Sequence, residues 1–287
     1  MATTPRIITR TINGSRILAG LQQGKPYTHV PNTTLNEALG ISAGVMPLNS
    51  DTPRVRYYCI GNNGHVNRQG SDGGHYTQAR QHRPDDFGLY NILPFLLRAP
   101  NDDLTVPERA PYGLRKIIQV DGVNWIAYYL KRIPISNDPV IMLHNTVVDG
   151  VTTTVPFIPS NANLHPEPVD PSSVNVISTN GTYLTTSAMM SLIYDAQAVA
   201  ELVEVANILY SNPERAIISE IGLVAGSDRA VQVTDPGQSP FSMNEVVMAQ
   251  ISTHITGYWP VAFMSEGFTH DLDLGGTEPL TGIESGP

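Results

Sequence analysis

Residues 113–132 read Gly113-Leu-Arg-Lys-Ile-Ile-Gln-Val120, then Asp121-Gly122, then Val123-Asn-Trp-Ile-Ala-Tyr-Tyr-Leu-Lys-Arg132. Both outer stretches are rich in the β-branched and aromatic residues that strands favour. Asp-Gly between two such stretches is typical of a two-residue hairpin turn, because both turn residues must accept a positive φ angle. The segment therefore predicts two antiparallel strands joined by a tight turn.

Two further hairpins are predicted from the same pattern. They lie at Val140–Val148 with Val151–Ile158 around Asp149-Gly150, and at Val174–Ser178 with Thr182–Leu184 around Asn180-Gly181. Three hairpins in one chain indicate a β-rich protein.

One long helix is predicted over about 187–210. Thr186 or Ser187 can cap its start, and Asn212-Pro213 ends it because proline disfavours helical backbone at the preceding residue. Apolar residues recur at helical spacing around most of its circumference, so we expect a helix buried on several sides. Together with the hairpins, this helix gives an α+β fold class.

The remaining segments suggest how the chain is organised. Residues 61–86 are polar and glycine-rich, and Pro94 interrupts the apolar piece Phe87–Leu97, which is a broken helix or a buried extended segment. The expected organisation begins with an N-terminal arm (1–50), which has a short helix from Thr34 to about Val45 capped by Asn32 or Thr33. A β-rich domain (51–158) with a long surface loop (61–86), a Pro-rich linker (159–173) and an α+β region with the long helix (174–270) follow. The chain ends in a tail (271–287) that is flexible or ordered only by contact.

The composition pairs a large apolar fraction with little charge. Hydrophobic residues make up 41% of the 287 residues, enough for a sizeable core, whereas charged residues make up only 15%. Ordinary soluble domains carry about 25% charged residues, and the cores of protein interfaces are depleted in charge. We therefore predict that other polypeptides cover part of the exterior, as they do in an assembly subunit.

The net charge and the absence of known motifs argue against several classes of function. A net charge of −9 with scattered basic residues argues against direct nucleic-acid binding, which needs clustered Lys and Arg. The single cysteine, Cys59, excludes an internal disulfide and a cysteine-based zinc cage. No nucleophile elbow, phosphate-binding loop or dinucleotide fingerprint occurs. The sequence thus predicts neither enzyme activity nor a cofactor.

The histidines of the 61–86 segment are the weak candidates for a metal site. His65, His75 and His82 have Asp72, Asp85 and Asp86 nearby, and imidazole and carboxylate groups bind zinc or iron. Their spacing is long and their surroundings are glycine-rich, which favours solvated loop histidines and no metal. Binding through this loop would instead make the protein a metal-dependent hydrolase.

A charged and aromatic stretch in the middle of the chain is the candidate interface. Arg, Tyr and Trp are the residue types enriched at interface hot spots. An ordinary amphipathic sheet with its aromatic side chains inside accounts for the same residues equally well. The interface candidates are Arg98, Arg109, Tyr112, Arg115, Trp125, Tyr128, Tyr129 and Arg132.

This middle stretch resembles uncharacterised virion proteins of tailed bacteriophages, especially contractile-tailed ones. A second similarity, to the E-[IV]-G-L strand of phage tail, baseplate and fibre-attachment proteins, lies in Ile218-Ser-Glu-Ile-Gly-Leu-Val-Ala225. The resemblance implies a tail, baseplate or neck subunit present in several symmetric copies, and it carries over no functional residues. The first similarity rests on Pro94-Phe-Leu-Leu-Arg98, Asp102-Asp-Leu-Thr-Val-Pro-Glu-Arg109, Tyr112-Gly-Leu-Arg115 and Asp121–Arg132.

The expected function is therefore that of a non-enzymatic structural protein of the virion, made in the host cytoplasm. Its expected partners are copies of itself and other virion proteins, held through the arm 1–50, the loop 61–86 and the tail. No membrane contact is expected, because no apolar run approaches roughly 20 residues and no signal pattern begins the chain. A fibre-attachment or receptor-binding module is the alternative among non-enzymes.

Overall fold

The computed structural model describes residues 6–26, 33–41, 53–71, 73–162, 181–234 and 240–280. About half of the structure is strand, arranged in several antiparallel sheets with four short helices among these residues, so the β-rich prediction is confirmed. The chain divides into two compact units, formed by residues 1–133 with 193–268 (unit 1) and by residues 134–192 with 269–287 (unit 2). The sequence had suggested a division at the linker 159–173.

The strands are, in chain order, β1 (Ile7–Arg10), β2 (Arg54–Gly61), β3 (His65–Gln69), β4 (His75–Ala79), β5 (Ile92–Leu93), β6 (Leu96–Arg98), β7 (Tyr112–Val120), β8 (Val123–Arg132), β9 (Ile141–Val148), β10 (Val151–Pro156), β11 (Gly181–Ser187), β12 (Met189–Tyr194), β13 (Ile217–Gly226), β14 (Asp228–Val233), β15 (Phe241–Val246), β16 (Gln250–Pro260), β17 (Phe268–Asp273) and β18 (Thr277–Leu280). The helices are α1 (Ile12–Gln23), α2 (Thr34–Leu39), α3 (Val106–Arg109) and α4 (Ala196–Tyr210).

Unit 1 is built on an eight-stranded antiparallel sheet. Its strand order is β1-β16-β13-β2-β8-β6, with β5 also paired to β2 and β7 to β8. Residues 218–226 of the central strand β13 are all buried, which is typical of a strand covered on both faces. The core cluster around this sheet includes Tyr57, Leu130 and Val224, and α4 contributes the buried Val205.

Unit 2 contains a smaller sheet with the order β10-β9-β11-β18. The remaining strands form three separate two-stranded sheets. One pairs β12 with β17, and the other two, β14 with β15 and β3 with β4, belong to unit 1.

The two Asp-Gly hairpins form as predicted. Val120 lies opposite Val123 and Val148 opposite Val151, so each loop has two residues. Asp121 and Gly122 have φ angles of 49° and 81°, and Asp149 and Gly150 have 49° and 78°. These positive angles explain why each turn uses Asp-Gly. The third predicted hairpin lies mostly outside the described residues, since only its second strand, within β11, is described.

The N-terminal segment is part of unit 1, and the expectation of an extended arm needs correction for residues 6–26. β1 pairs with β16 of the same chain, and Thr11 caps α1 while its hydroxyl donates to the carbonyl of Ile251 at 2.6 Å. Gly14 lies so close to the Ser252 backbone that a side chain would collide with it. The predicted cap of α2 at Thr33 is confirmed, but the helix ends at Leu39 because Gly40 is left-handed, with φ at 57°.

The segments expected to be loops contain strands. Residues 61–86 were expected to form one surface loop, but β3 and β4 pair there, from His65 opposite Ala79 to Gln69 opposite His75. Backbone pairing needs no apolar side chain, so the polar composition concealed this hairpin. The piece around Pro94 is extended, as β5 and β6, which was one of its two interpretations. In the tail 271–287, flexibility is wrong for residues 271–273 of β17 and for β18, which pairs with β11, so contact orders these residues; residues 281–287 lie outside the description.

The long helix begins later than the sequence indicated. Residues 189–194 form β12, and α4 spans only Ala196–Tyr210. Asp195 is its cap and accepts a hydrogen bond from the amide of Ala198 at 2.8 Å. The spacing of Met189, Leu192 and Ile193 fits both a helix and a strand, because short apolar runs do not distinguish the two. Of the predicted linker, residues 163–173 lie outside the described part.

We expect the cap of α4 to be measurable in unfolding experiments. Asp195→Ala should lower the free energy of unfolding by about 1 kcal/mol, because it leaves a first-turn amide without its acceptor. Asp195→Asn keeps an acceptor and should change it by only a few tenths of a kcal/mol. Urea titration of both variants measures the difference, and equal stabilities would contradict the assignment of Asp195 as the cap.

Candidate functional site: a buried carboxylate cluster and an open sheet

Several interface candidates form a network inside unit 1. Arg115 is buried, and its guanidinium lies 2.9 Å from a carboxylate oxygen of Asp103. The hydroxyl of the fully buried Tyr128 donates to the other oxygen of Asp103 at 2.5 Å. Tyr129 is buried too, and Trp125 packs partly buried against the main core. This placement is that of an amphipathic sheet with its aromatic side chains inside.

The other arginine candidates also bond within unit 1. Arg98 on β6 makes a two-point ion pair with Glu201 on α4, with one contact of 2.6 Å between Nη1 and Oε2. Arg132 donates to Asp228 at 2.6 Å and to three backbone carbonyls, including that of Tyr112 at 2.6 Å. The Arg109 guanidinium stacks 4.0 Å from the centre of the Phe241 ring. The Arg98 and Arg132 guanidinium groups therefore donate hydrogen bonds within unit 1, and the Arg109 guanidinium makes a cation–π contact there.

Three of the candidates line one cavity of about 240 Å³ in unit 1. Arg109, Tyr112 and Arg132 form part of its wall, together with residues of β15. The Arg132 guanidinium is already bound to four acceptors. The cavity thus brings three predicted residues together. A ligand in it would meet an Arg132 guanidinium whose charge is already partly compensated by its bonds within the chain.

The three metal candidates do not converge. His75 is exposed on β4, and the His65 ring packs against Tyr258 with centroids 4.9 Å apart. His82 is buried with other partners, and Asp72 lies outside the described residues. Across the described ranges, no group of three or more His, Cys, Asp or Glu side chains is arranged to hold a metal ion.

Glu220 is the feature that sequence reasoning missed. It lies on the central strand β13, its side chain is inaccessible to solvent, and it accepts three backbone hydrogen bonds. The donors are the amides of Tyr90 at 2.7 Å, Asn63 at 3.0 Å and Asn91 at 3.2 Å. A single charged residue within an otherwise uncharged strand was the available signal, because buried carboxylates need partners.

His82 joins Glu220 to a second carboxylate. Its Nε2 lies 3.1 Å from Glu220 Oε2, and its Nδ1 lies 3.2 Å from Asp86 Oδ2. The ring therefore bridges the two carboxyl groups, one on the central strand and one in the 61–86 segment. Glu220 thereby gains a side-chain partner in addition to its three backbone donors, as a buried carboxyl group requires.

A stack of rings surrounds His82. The His82 ring lies between Tyr90, at 4.2 Å, and His254, at 3.8 Å, and the Arg80 guanidinium covers the outer face of Tyr90 at 4.2 Å. Burial and the neighbouring His82 lower the pKa of His254 to about 4. His254 is therefore neutral near pH 7 and donates from Nε2 to the carbonyl of Asp86 at 3.1 Å.

The pKa of Asp86 also reflects the cluster. Partial burial would raise the pKa, but hydrogen bonds from the Arg83 amide and from His82 outweigh it and hold the pKa below its usual value. Both nitrogens of His82 are engaged and the Glu220 carboxylate is closed to solvent. The cluster is thus built to tie residues 62–64 and 82–91 to the centre of the sheet.

The sheet of unit 2, with the strand order β10-β9-β11-β18, exposes apolar side chains to solvent. We call it the open sheet. All six residues of β10 are exposed, with Val151 at 67% and Val155 at 48% of their full accessibility. Val148 on β9 is 55% exposed. β9, β10 and β11 contain no Asp, Glu, Lys or Arg.

The outer edge of the open sheet is also unprotected. β10 pairs with β9 on one side, and no described strand pairs with its other side. Natural edge strands usually carry charges, a bulge or a covering segment, because an open edge is a template for pairing with another chain. Along β10 only Pro156, at its end, serves that purpose.

No helix of the described ranges is both long and apolar enough to cross a membrane.

We expect loss of the buried Glu220 carboxyl group to destabilise the fold. Glu220→Gln should lower the free energy of unfolding by about 1–3 kcal/mol, because the amide NH₂ cannot accept the hydrogen bonds that one carboxylate oxygen accepts, and buried donors lose their partner. Glu204→Gln, on the exposed face of α4, is the matched control and should stay within about 0.5 kcal/mol. Urea denaturation measures both, and similar effects of the two substitutions would refute the role of Glu220.

We also expect His254 to weaken the fold in mild acid. Its folded pKa of about 4 lies below the unfolded value of about 6.5, so the unfolded chain binds more protons between these pH values. The free energy of unfolding should fall by up to about 3 kcal/mol as pH drops from about 6.5 to about 4, without further loss from this group below that range.

Variants separate this effect from that of other groups. His254→Asn should lose most of the drop in unfolding free energy between pH 7 and pH 4.5, and His75→Asn, on the exposed strand β4, should keep it. Denaturant titrations at the two pH values measure the change, and an unaltered drop in His254→Asn would contradict the assignment.

Comparisons with known proteins give one match for this chain. No curated protein and no solved structure matches it. A family model matches residues 1–286, nearly the full length. The chain therefore belongs to the DUF7208 family, a family of unknown function.

Proposed function

We propose that this protein is a non-enzymatic structural subunit of a tailed-phage particle, which holds neighbouring subunits together in the tail, baseplate or neck. The observation that carries the proposal is the open sheet. Three of its four strands, β9, β10 and β11, contain no Asp, Glu, Lys or Arg. Val148, Val151 and Val155 are exposed to water beside an edge of β10 that pairs with no described strand.

The energetics of such a surface favour a covering partner. Full burial of one valine side chain contributes roughly 1.5–3 kcal/mol relative to its exposure. Each backbone group at the edge that finds a partner adds a hydrogen bond worth about 1 kcal/mol net. An unoccupied surface of this kind invites uncontrolled association, so a dedicated neighbour is the simplest reason for the chain to keep it.

Composition and resemblance support the same role. With only 15% charged residues, the chain lacks the dense surface charge that keeps freely diffusing proteins apart. The resemblance of residues 94–132 and of Ile218–Ala225 to phage virion proteins gives the kind of assembly. Repeated copies in a symmetric particle raise the effective concentration of each contact, so modest interfaces suffice.

The test is the composition and shape of the particle. Purified virions of the phage that encodes this chain should contain it in a fixed copy number, measured by quantitative mass spectrometry. A nonsense allele should leave particles with missing or detached tails in electron micrographs, and a plasmid copy of the gene should restore them.

Other outcomes distinguish the alternatives. Complete particles that fail to adsorb to cells would contradict the proposal and support a receptor-binding module. Absence of the chain from purified virions would exclude a structural role in the particle.

A further inference from the structure

Among the described residues, no strand pairs with the outer edge of β10, and its outward hydrogen-bonding groups follow a defined pattern. Val148 and Val151 close a two-residue hairpin, so these two directly opposed residues exchange backbone bonds. Every second residue of β10 repeats this, and the amide of Phe157 accordingly donates to the carbonyl of Met142 at 2.8 Å. The amides and carbonyls of Thr152 and Thr154 therefore point outward, away from β9.

The sequence of this edge is a palindrome. Residues 151–155 read Val-Thr-Thr-Thr-Val. If a second copy pairs antiparallel about a two-fold axis at Thr153, each Val151 lies opposite Val155 of the other copy and each Thr152 opposite Thr154. All the outward amides and carbonyls of Thr152 and Thr154 then find partners, in four backbone hydrogen bonds. Pro156 lacks an amide hydrogen and ends the ladder.

Side chains match across this axis as well. Opposed residues share a face of a sheet, so Val148 and Val151 of one copy continue into Val155 of the other. The middle row contains only threonines, because Thr153 lies opposite Thr146 within each copy. Cross-strand pairs of β-branched residues stabilise sheets, and every pair across the proposed contact is of that type.

Charge does not oppose the contact. β10 has no ionisable side chain, and the nearest acid, Asp149, lies in the turn. In this register Asp149 is opposite Phe157 of the other copy, so the two Asp149 carboxylates are eight residues apart along the strand direction. That separation is about 27 Å at 3.4 Å per residue, well beyond the Debye length of about 8 Å at physiological salt.

We infer that β10 binds β10 of a second copy of this chain, in antiparallel register about Thr153, to form one continuous eight-stranded sheet. The inference rests on the proposed assembly role and names the partner of the open sheet. The contact is isologous, since the same strand serves both copies.

Cysteine cross-linking of the purified full-length protein tests the register. Thr153→Cys should form a disulfide-linked dimer on mild oxidation, because residues opposed in a non-hydrogen-bonded pair have Cα atoms about 4.5 Å apart, within disulfide range. Thr152→Cys is the matched control and should link to itself at least about tenfold more slowly, since residue 152 faces residue 154. Val151→Cys mixed with Val155→Cys should link across chains. The native Cys59 is buried and does not compete.

A charge exchange tests the same contact without oxidation. Val151→Lys/Val155→Lys places lysine opposite lysine, whereas Val151→Lys/Val155→Glu places lysine opposite glutamate on the same exposed sites. We expect the dimer dissociation constant of the first variant to be about tenfold higher than that of the second, measured by sedimentation. Circular dichroism verifies that both variants fold.

The outcomes separate this inference from the proposed function. Equal linking of the Thr152 and Thr153 cysteines, or no linking with a monomeric chain, overturns the pairing of β10 even if virions contain the protein. Selective linking through Thr153 upholds the pairing even if virions lack the protein, and the structural role then fails alone.

Discussion

The hydrogen bonds that the buried Glu220 carboxyl group accepts are the constraint on which unit 1 depends. A carboxyl group on the central strand of a sheet is tolerable only when its oxygens have hydrogen-bond partners. Here the donors come from residues 63, 82, 90 and 91, far from Glu220 along the chain. One side chain on β13 thereby fixes the path of a polar segment that has almost no apolar residues to anchor it.

Three of the arginines predicted at an interface also have partners inside unit 1. Arg98 and Arg132 each meet a carboxylate of a segment distant in sequence, and Arg115 meets that of Asp103. These pairs join separate elements of unit 1 and hold the three guanidinium groups in place.

How far the sequence predicts this structure depends on how local the signal is. The Asp121-Gly122 and Asp149-Gly150 hairpins were predictable because positive φ angles restrict residue type within two positions. The start of α4 and the β3–β4 hairpin were not, since helical and strand spacing coincide over short runs and backbone pairing leaves no apolar trace. Glu220 needed partners up to about 160 residues away, which no local pattern reports.

The open sheet differs from unit 1 in how many of its hydrogen-bonding and apolar groups have partners among the described residues. In unit 1 the oxygens of Glu220 and Asp103 find partners within the chain, whereas the outer edge of β10 pairs with no strand of the described residues and its valines are exposed. A palindromic strand at that edge is complementary to itself, so no second protein has to be invoked to complete it. The symmetry of the contact then determines the size of the assembly. A two-fold contact occupies the β10 edge of both copies and gives a dimer, whereas a strand that paired head-to-tail would leave a free edge and continue into a fibre. The stop at Pro156 and the threonine-centred palindrome both favour the closed pair.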